Sequence, residues 1–194
     1  MSTNITDETQ PTPLSAFDSG GDGHILVVDD EERNRRLLRD VLIAKGHRVT
    51  EARDGEEALV LARREIPDVI LLDVMMPKFD GFEVCRSLKA DTATMQIPIL
   101  IVTALKERGD SIKGLAAGAD DFITKPIDTE EVSLRVRNAL RMKRLHDRVI
   151  EDYEKLSALE KLRDNLIHMV VHDMRTPLTA ILGTLAIIHG DMAS

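Results

Sequence analysis

Three carboxylates, a hydroxyl and an ammonium recur at one kind of place in this chain, at the end of a short apolar run. Asp29 and Asp30 follow residues 25–28, Asp73 follows 69–72, Thr103 follows 99–102 and Lys125 follows 122–124. Two carboxylates about 4 Å apart repel by roughly 4 kcal/mol at an effective dielectric near 20, so three gathered together need a countercharge. A hard divalent cation with oxygen ligands supplies it, and Mg²⁺ is the natural candidate. With the cation bound, one carboxylate can attack a phosphoryl group, because the cation and a lysine neutralise charge on the transferring oxygens. A threonine hydroxyl can then bond a phosphoryl oxygen. The set is coherent for making and holding an aspartyl phosphate.

These residues converge only if the elements beneath them are arranged for it. Apolar runs at 25–28, around Val49, and at 69–72, 99–102 and 122–124 are each followed by an amphipathic stretch, at 31–45, 55–64, 82–90, 110–117 and from Thr129 onward. Alternating βα units imply a five-stranded parallel, doubly wound sheet with helices on both faces. The first, third and fourth runs are unbroken aliphatic, as strands buried on both faces should be, whereas the second is more polar and belongs at an edge. In such sheets ligands bind beyond the carboxyl ends of the strands, near the switch in strand order, which is the rim where all five groups stand.

The stretches "HILVVDDEE", "VILLDVMMPKFDGFEV", "PILIVTA" and "GADDFITKP" closely resemble the receiver domain of two-component response regulators, over about residues 24–141. The resemblance implies a flavodoxin-like fold and assigns roles. Asp73 becomes the phosphoacceptor, and Asp29, Asp30, Asp73 and the backbone carbonyl of Met75 become the Mg²⁺ ligands. Thr103 and Lys125 contact the phosphoryl group, and Phe122 is the aromatic switch. The phosphodonor is then a histidine kinase or a phosphotransfer protein. Taken singly the residues have plainer readings. Paired acids after a strand often cap a helix, Phe122 could be ordinary core, the side chains of Met75 and Met76 read as packing residues, and Cys85 reads as a small buried hydrophobe.

From Arg141 on, no Pro or Gly appears before Pro177, as a long helix requires. Heptads counted from Met142 place Leu145, Val149, Leu156, Leu159, Leu166 and Val170 on one seam, interrupted by Asp152 and Arg163, which predicts a dimeric coiled coil over 142–170. Met174, Leu178, Ile181, Leu185 and Ile188 continue the repeat four residues out of frame, a stutter that unwinds the supercoil, and Pro177 beside it can kink the rod. His172 lies off the seam in either frame.

Its surroundings, "HDMRTPL", resemble the H-box of the dimerisation and phosphotransfer domain of sensor histidine kinases. That resemblance makes His172 the phosphorylated imidazole, Asp173 the acid that helps deprotonate it, and Thr176 the residue that orients water for dephosphorylation, with Arg175 and Pro177 completing the motif. Residues 171–194 would be the first helix of that domain, lacking its second helix and the ATP-binding domain. The whole then reads as the N-terminal part of a hybrid histidine kinase, homodimeric through its C-terminal helix, which would use ATP only through a further domain in cis or in trans and would not autophosphorylate alone. The alternative is a stand-alone response regulator whose C-terminal helix is a dimerisation or partner-binding module. A dehalogenase-like phosphatase is a weaker third reading, because those enzymes want Asp-x-Asp where this chain has Asp29-Asp30-Glu31.

Composition narrows the field further. Acids outnumber bases 34 to 26, net −8, with four Phe, one Tyr and no Trp, which disfavours nucleic acid as a partner. The lone Cys85 permits no intrachain disulfide or thiolate metal centre. Residues 1–23 are acidic, carry no Lys or Arg, and read as a disordered lead-in rather than a signal peptide. No uncharged stretch is long enough to span a bilayer, and no phosphate-binding glycine loop follows a strand. The expected setting is the cytoplasm. His24, His47, His146, His168 and His189 show no ligand spacing and read as structural or surface residues, although His168 and His172 stand four apart.

Overall fold

The structure is a computed structural model that describes residues 23–77, 80–104 and 116–191, with side chains as far as 169. Five parallel strands form one sheet: β1 (His24–Val28), β2 (Arg48–Ala52), β3 (Val69–Asp73), β4 (Ile99–Thr103) and β5 (Asp121–Thr124), in the order β2-β1-β3-β4-β5. Between and after them lie α1 (Glu32–Ala44), α2 (Gly55–Glu65), α3 (Gly81–Ala90) and α4 (Thr129–Asp191). This is the flavodoxin-like order, with its switch between β1 and β3. The polar strand β2 is at an edge, as its sequence suggests. The helix expected over 110–117 falls almost wholly outside the described residues, as does the lead-in.

Strand alternation builds two cores from the same strands. On one face Ile25, Val27, Val69, Leu71, Leu100 and Val102 meet Leu38 and Leu42 of α1 and Val132, Val136 and Leu140 of α4. On the other, Leu26, Val28, Ile70, Leu72, Ile99 and Ile101 meet Ala58 and Ala62 of α2 and Phe82, Val84, Cys85 and Leu88 of α3. Every residue of β1, β3 and β4 is buried, which explains why those runs carry no alternation in the sequence. Removing one such side chain, Leu71→Ala for example, costs about 2–5 kcal/mol.

Two local devices set where helices begin. Asp54 accepts a hydrogen bond from the Glu57 amide at the start of α2, and Asp80 accepts one from the Phe82 amide at the start of α3. The chain divides into two compact units, one through Leu145 and one from His146. Within the second unit α4 remains helical to Asp191, past Pro177. No helix among the described residues is long and apolar enough to cross a membrane.

Candidate functional site

Strand register brings the polar residues together. Val28 pairs with Leu72, Asp73 with Val102 and Thr103 with Thr124, so the residues just past β1, β3, β4 and β5 share one rim. Asp29 and Asp73 are buried there, Asp30 is exposed, and one carboxylate oxygen from each lies within 4.8 Å of the others. Lys125 Nζ donates to Asp73 Oδ2 at 2.8 Å and to Asp29 Oδ2 at 3.0 Å. The Lys125 backbone amide donates to the Thr103 carbonyl at 2.8 Å, tying the lysine to the end of β4.

Burial pushes the Asp73 carboxyl above its ordinary range, Lys125 pulls it down, and the neighbouring Asp29 charge pushes it up again. Burial alone would lower the Lys125 ammonium, but its hydrogen bonds to Asp73 and Asp29 outweigh that and hold it above its usual value. Three carboxylates against one ammonium leave two negative charges, the complement of a divalent cation. All the donors are hard oxygens, and exposed Asp30 leaves room for the waters that Mg²⁺ retains. The residues therefore fit the ion by charge and by donor type.

Thr103 is buried at the end of β4, and Phe122 of β5 is half-buried against the core shared with α2 and α3. The Met75 amide donates to Asp73 Oδ1 at 3.3 Å. One expectation needs correction. Met76 is packed in the core, but the Met75 side chain is 62% exposed, because the turn after β3 points it into solvent. Cys85 is buried, its thiol pushed up to about 11 by that burial, and it donates to the Ala117 carbonyl. His24 is buried at the start of β1, where its Nε2 pairs with Thr50 Oγ1 at 2.8 Å. The side chains of His172, Asp173 and Thr176 lie outside the described residues.

Two residues of the site are invisible to motif reading. Asn34 Nδ2 lies 3.2 and 3.1 Å from the two Asp29 oxygens and 3.0 Å from Glu31 Oε2. Its only signal in the sequence is its place five residues after Asp29, in the first turn of the following helix. Gly81 starts α3 directly against the backbone of Asp73. A Cβ there would overlap the Asp73 carbonyl oxygen and lie 2.8 Å from Val74 Cα, so only glycine fits. Its amide donates to the Val74 carbonyl at 3.0 Å.

Residues 25–137 match the response regulator receiver domain family. The chain is 54% identical over 123 residues to the response regulator PleD of Caulobacter vibrioides, a match covering 63% of this chain and 27% of that one. It is 50% identical over 117 residues to the alkaline phosphatase synthesis regulatory protein PhoP of Bacillus subtilis, covering 60% of this chain and 48% of that one. The chain thus spans about a quarter to a half of these curated relatives. Among solved structures, the signal receiver domain of a signal transduction histidine kinase from Syntrophus aciditrophicus superposes with TM-score 0.58 at 36% identity, covering 61% of this chain and 89% of that one. The chemotaxis protein CheY4 of Vibrio cholerae superposes with TM-score 0.58 at 31% identity, covering 60% and 98%.

Proposed function

The chain belongs to the response regulator receiver domain family, and from that premise we propose that it accepts a phosphoryl group on Asp73 from a partner histidine and relays the change along its C-terminal helix. The observation that carries the reading is the convergence of Asp29, Asp30 and Asp73, with Lys125 bridging two of them. Asp29, Asp30, Asp73 and the Met75 carbonyl would hold Mg²⁺, which supplies charge neutralisation for the phosphoryl oxygens when bound. Asp73 attacks phosphorus in line, its oxygen–phosphorus bond forming as the phosphorus–nitrogen bond of the donor breaks. The departing imidazole nitrogen keeps that electron pair and takes a proton from solvent. Lys125 transfers a hydrogen bond from the Asp73 carboxylate to a phosphoryl oxygen, and the Thr103 hydroxyl donates to another. Thr103 and half-buried Phe122 then shift the surface near α4.

With Mg²⁺ and a small phosphodonor, the chain is expected to take up acid-stable, hydroxylamine-sensitive phosphate, and Asp73→Ala to abolish it. Unchanged uptake by that variant overturns the assignment.

The C-terminal unit is read as a homodimeric coiled coil over 142–170 leading to a phosphoacceptor helix. There His172 is phosphorylated, Asp173 assists, and Thr176 orients water. The "HDMRTPL" string supports this, and so does the occurrence of a similar receiver in a signal transduction histidine kinase. The chain then serves a cytoplasmic hybrid histidine kinase, with an ATP-binding domain acting on His172 in cis or in trans. The regulators PleD and PhoP are equally compatible with the other reading, a stand-alone response regulator whose C-terminal helix is a dimerisation or partner-binding module. Supplying a sensor-kinase ATP-binding domain and ATP decides between them. Base-stable, acid-labile phosphate lost in His172→Gln supports the kinase, and its absence supports the regulator.

A further inference from the structure

We infer that Asn34 is a positioning residue for the metal site, holding the Asp29 carboxylate in the orientation a divalent cation needs. The inference rests on the reading above that Asp29, Asp30 and Asp73 hold Mg²⁺. The side-chain amide of Asn34 donates to Asp29 Oδ1 and Oδ2, at 3.2 and 3.1 Å, and to Glu31 Oε2 at 3.0 Å. The Glu31 amide closes the other side of Oδ1 at 2.8 Å, and Lys125 Nζ closes Oδ2 at 3.0 Å. Asp29 is buried and faces two like charges, so without these donors it would rotate away from its neighbours.

A residue that served only the helix start would accept hydrogen bonds from backbone amides there. The hydrogen bonds described for the Asn34 side chain instead go to carboxylates. The backbone is tied down separately, because Arg35 Nη1 donates to the Asp29 carbonyl at 2.7 Å. Lys125 cannot substitute for Asn34 throughout the reaction, since it also holds Asp73 at 2.8 Å and turns to the phosphoryl group once that arrives. Asn34 and the Glu31 amide then retain Asp29 by themselves. Groups that orient metal ligands from behind typically set affinity by about 10- to 100-fold.

The test is a calorimetric Mg²⁺ titration of the full chain and of Asn34→Leu and Asn34→Gln, with thermal melts in the absence of Mg²⁺. Asn34→Leu keeps the approximate shape without a donor, and Asn34→Gln keeps the donor on a longer arm. The expected result is a roughly tenfold weaker Mg²⁺ affinity for Asn34→Leu, substantial recovery in Asn34→Gln, and little change in either metal-free melt. If Asn34→Leu does not fold, Asn34→Ser, too short to reach Asp29, takes its place with the same expectation. Wild-type affinity in the donor-less variant overturns the inference, as does equal weakening in Asn34→Gln. Failure of the unsubstituted chain to bind Mg²⁺ overturns the metal reading itself, and this inference with it.

Discussion

Helix α4 carries two apolar stripes with opposite fates. Val132, Val136 and Leu140, four residues apart, are buried against Ile25, Val27, Leu100, Val102 and their neighbours. Leu156, Leu159 and Leu166, at a and d positions of the heptad, are 57%, 63% and 49% exposed. Hydrophobic periodicity is therefore no measure of burial within one chain. The first stripe has a sheet to cover it, while the second has the spacing of a coiled-coil seam and stays exposed among the described residues of its unit.

The largest effect expected from breaking this contrast comes from placing the same charge on each stripe. Val136→Asp leaves an unpaired carboxylate in the core and should cost the receiver about 3–5 kcal/mol, a large part of a typical domain's stability, read by urea denaturation. Leu159→Asp should leave receiver stability within about 0.5 kcal/mol and abolish self-association in sedimentation velocity. A receiver destabilised by Leu159→Asp would show that the second stripe is covered from within.

A smaller effect sharpens the seam itself. Asp152 falls on the seam between Val149 and Leu156, and Arg163 between Leu159 and Leu166, and a dimer would have to desolvate them. Asp152→Leu with Arg163→Leu should tighten dimerisation by about 1–4 kcal/mol in sedimentation equilibrium. Unaltered association would place the interface on another face of the helix.

The smallest effect belongs to the receiver alone. Burial, reinforced by the nearby Arg48 charge, lowers the His24 pKa, and the carboxylates of Glu65 and Asp68 only partly oppose this. The folded state thus prefers neutral imidazole. The unfolded chain binds the extra proton first, so the His24 contribution is complete above about pH 6.5 and is lost as pH falls from there towards the folded pKa. His24→Gln should flatten the stability profile below pH 6.5 relative to the parent and leave it unchanged above. A steeper acid loss in the variant would contradict the assignment.

The sheet was largely legible because burial on both faces leaves a plain mark, as in residues 25–28, 69–72 and 99–102. β2 is harder to delimit, since only Val49 stands out in a strand that runs from Arg48 to Ala52 and buries only its last residue fully. The placement of Asp29, Asp73, Thr103 and Lys125 followed from where strands end, and strand ends are marked by abrupt polarity. Asn34 was not legible, because its role depends on a side chain reaching back across a helix start. Met75 is deceptive in the sequence, because a methionine beside an apolar run looks like core until the turn's direction is known.

Gly81 has a consequence for genetics. The first residue of α3 and the backbone of Asp73 occupy the same small volume, so even Gly81→Ala must displace one of them. In a screen for lost signalling, alleles at this codon should surface beside those of Asp73, though every reactive group is still encoded.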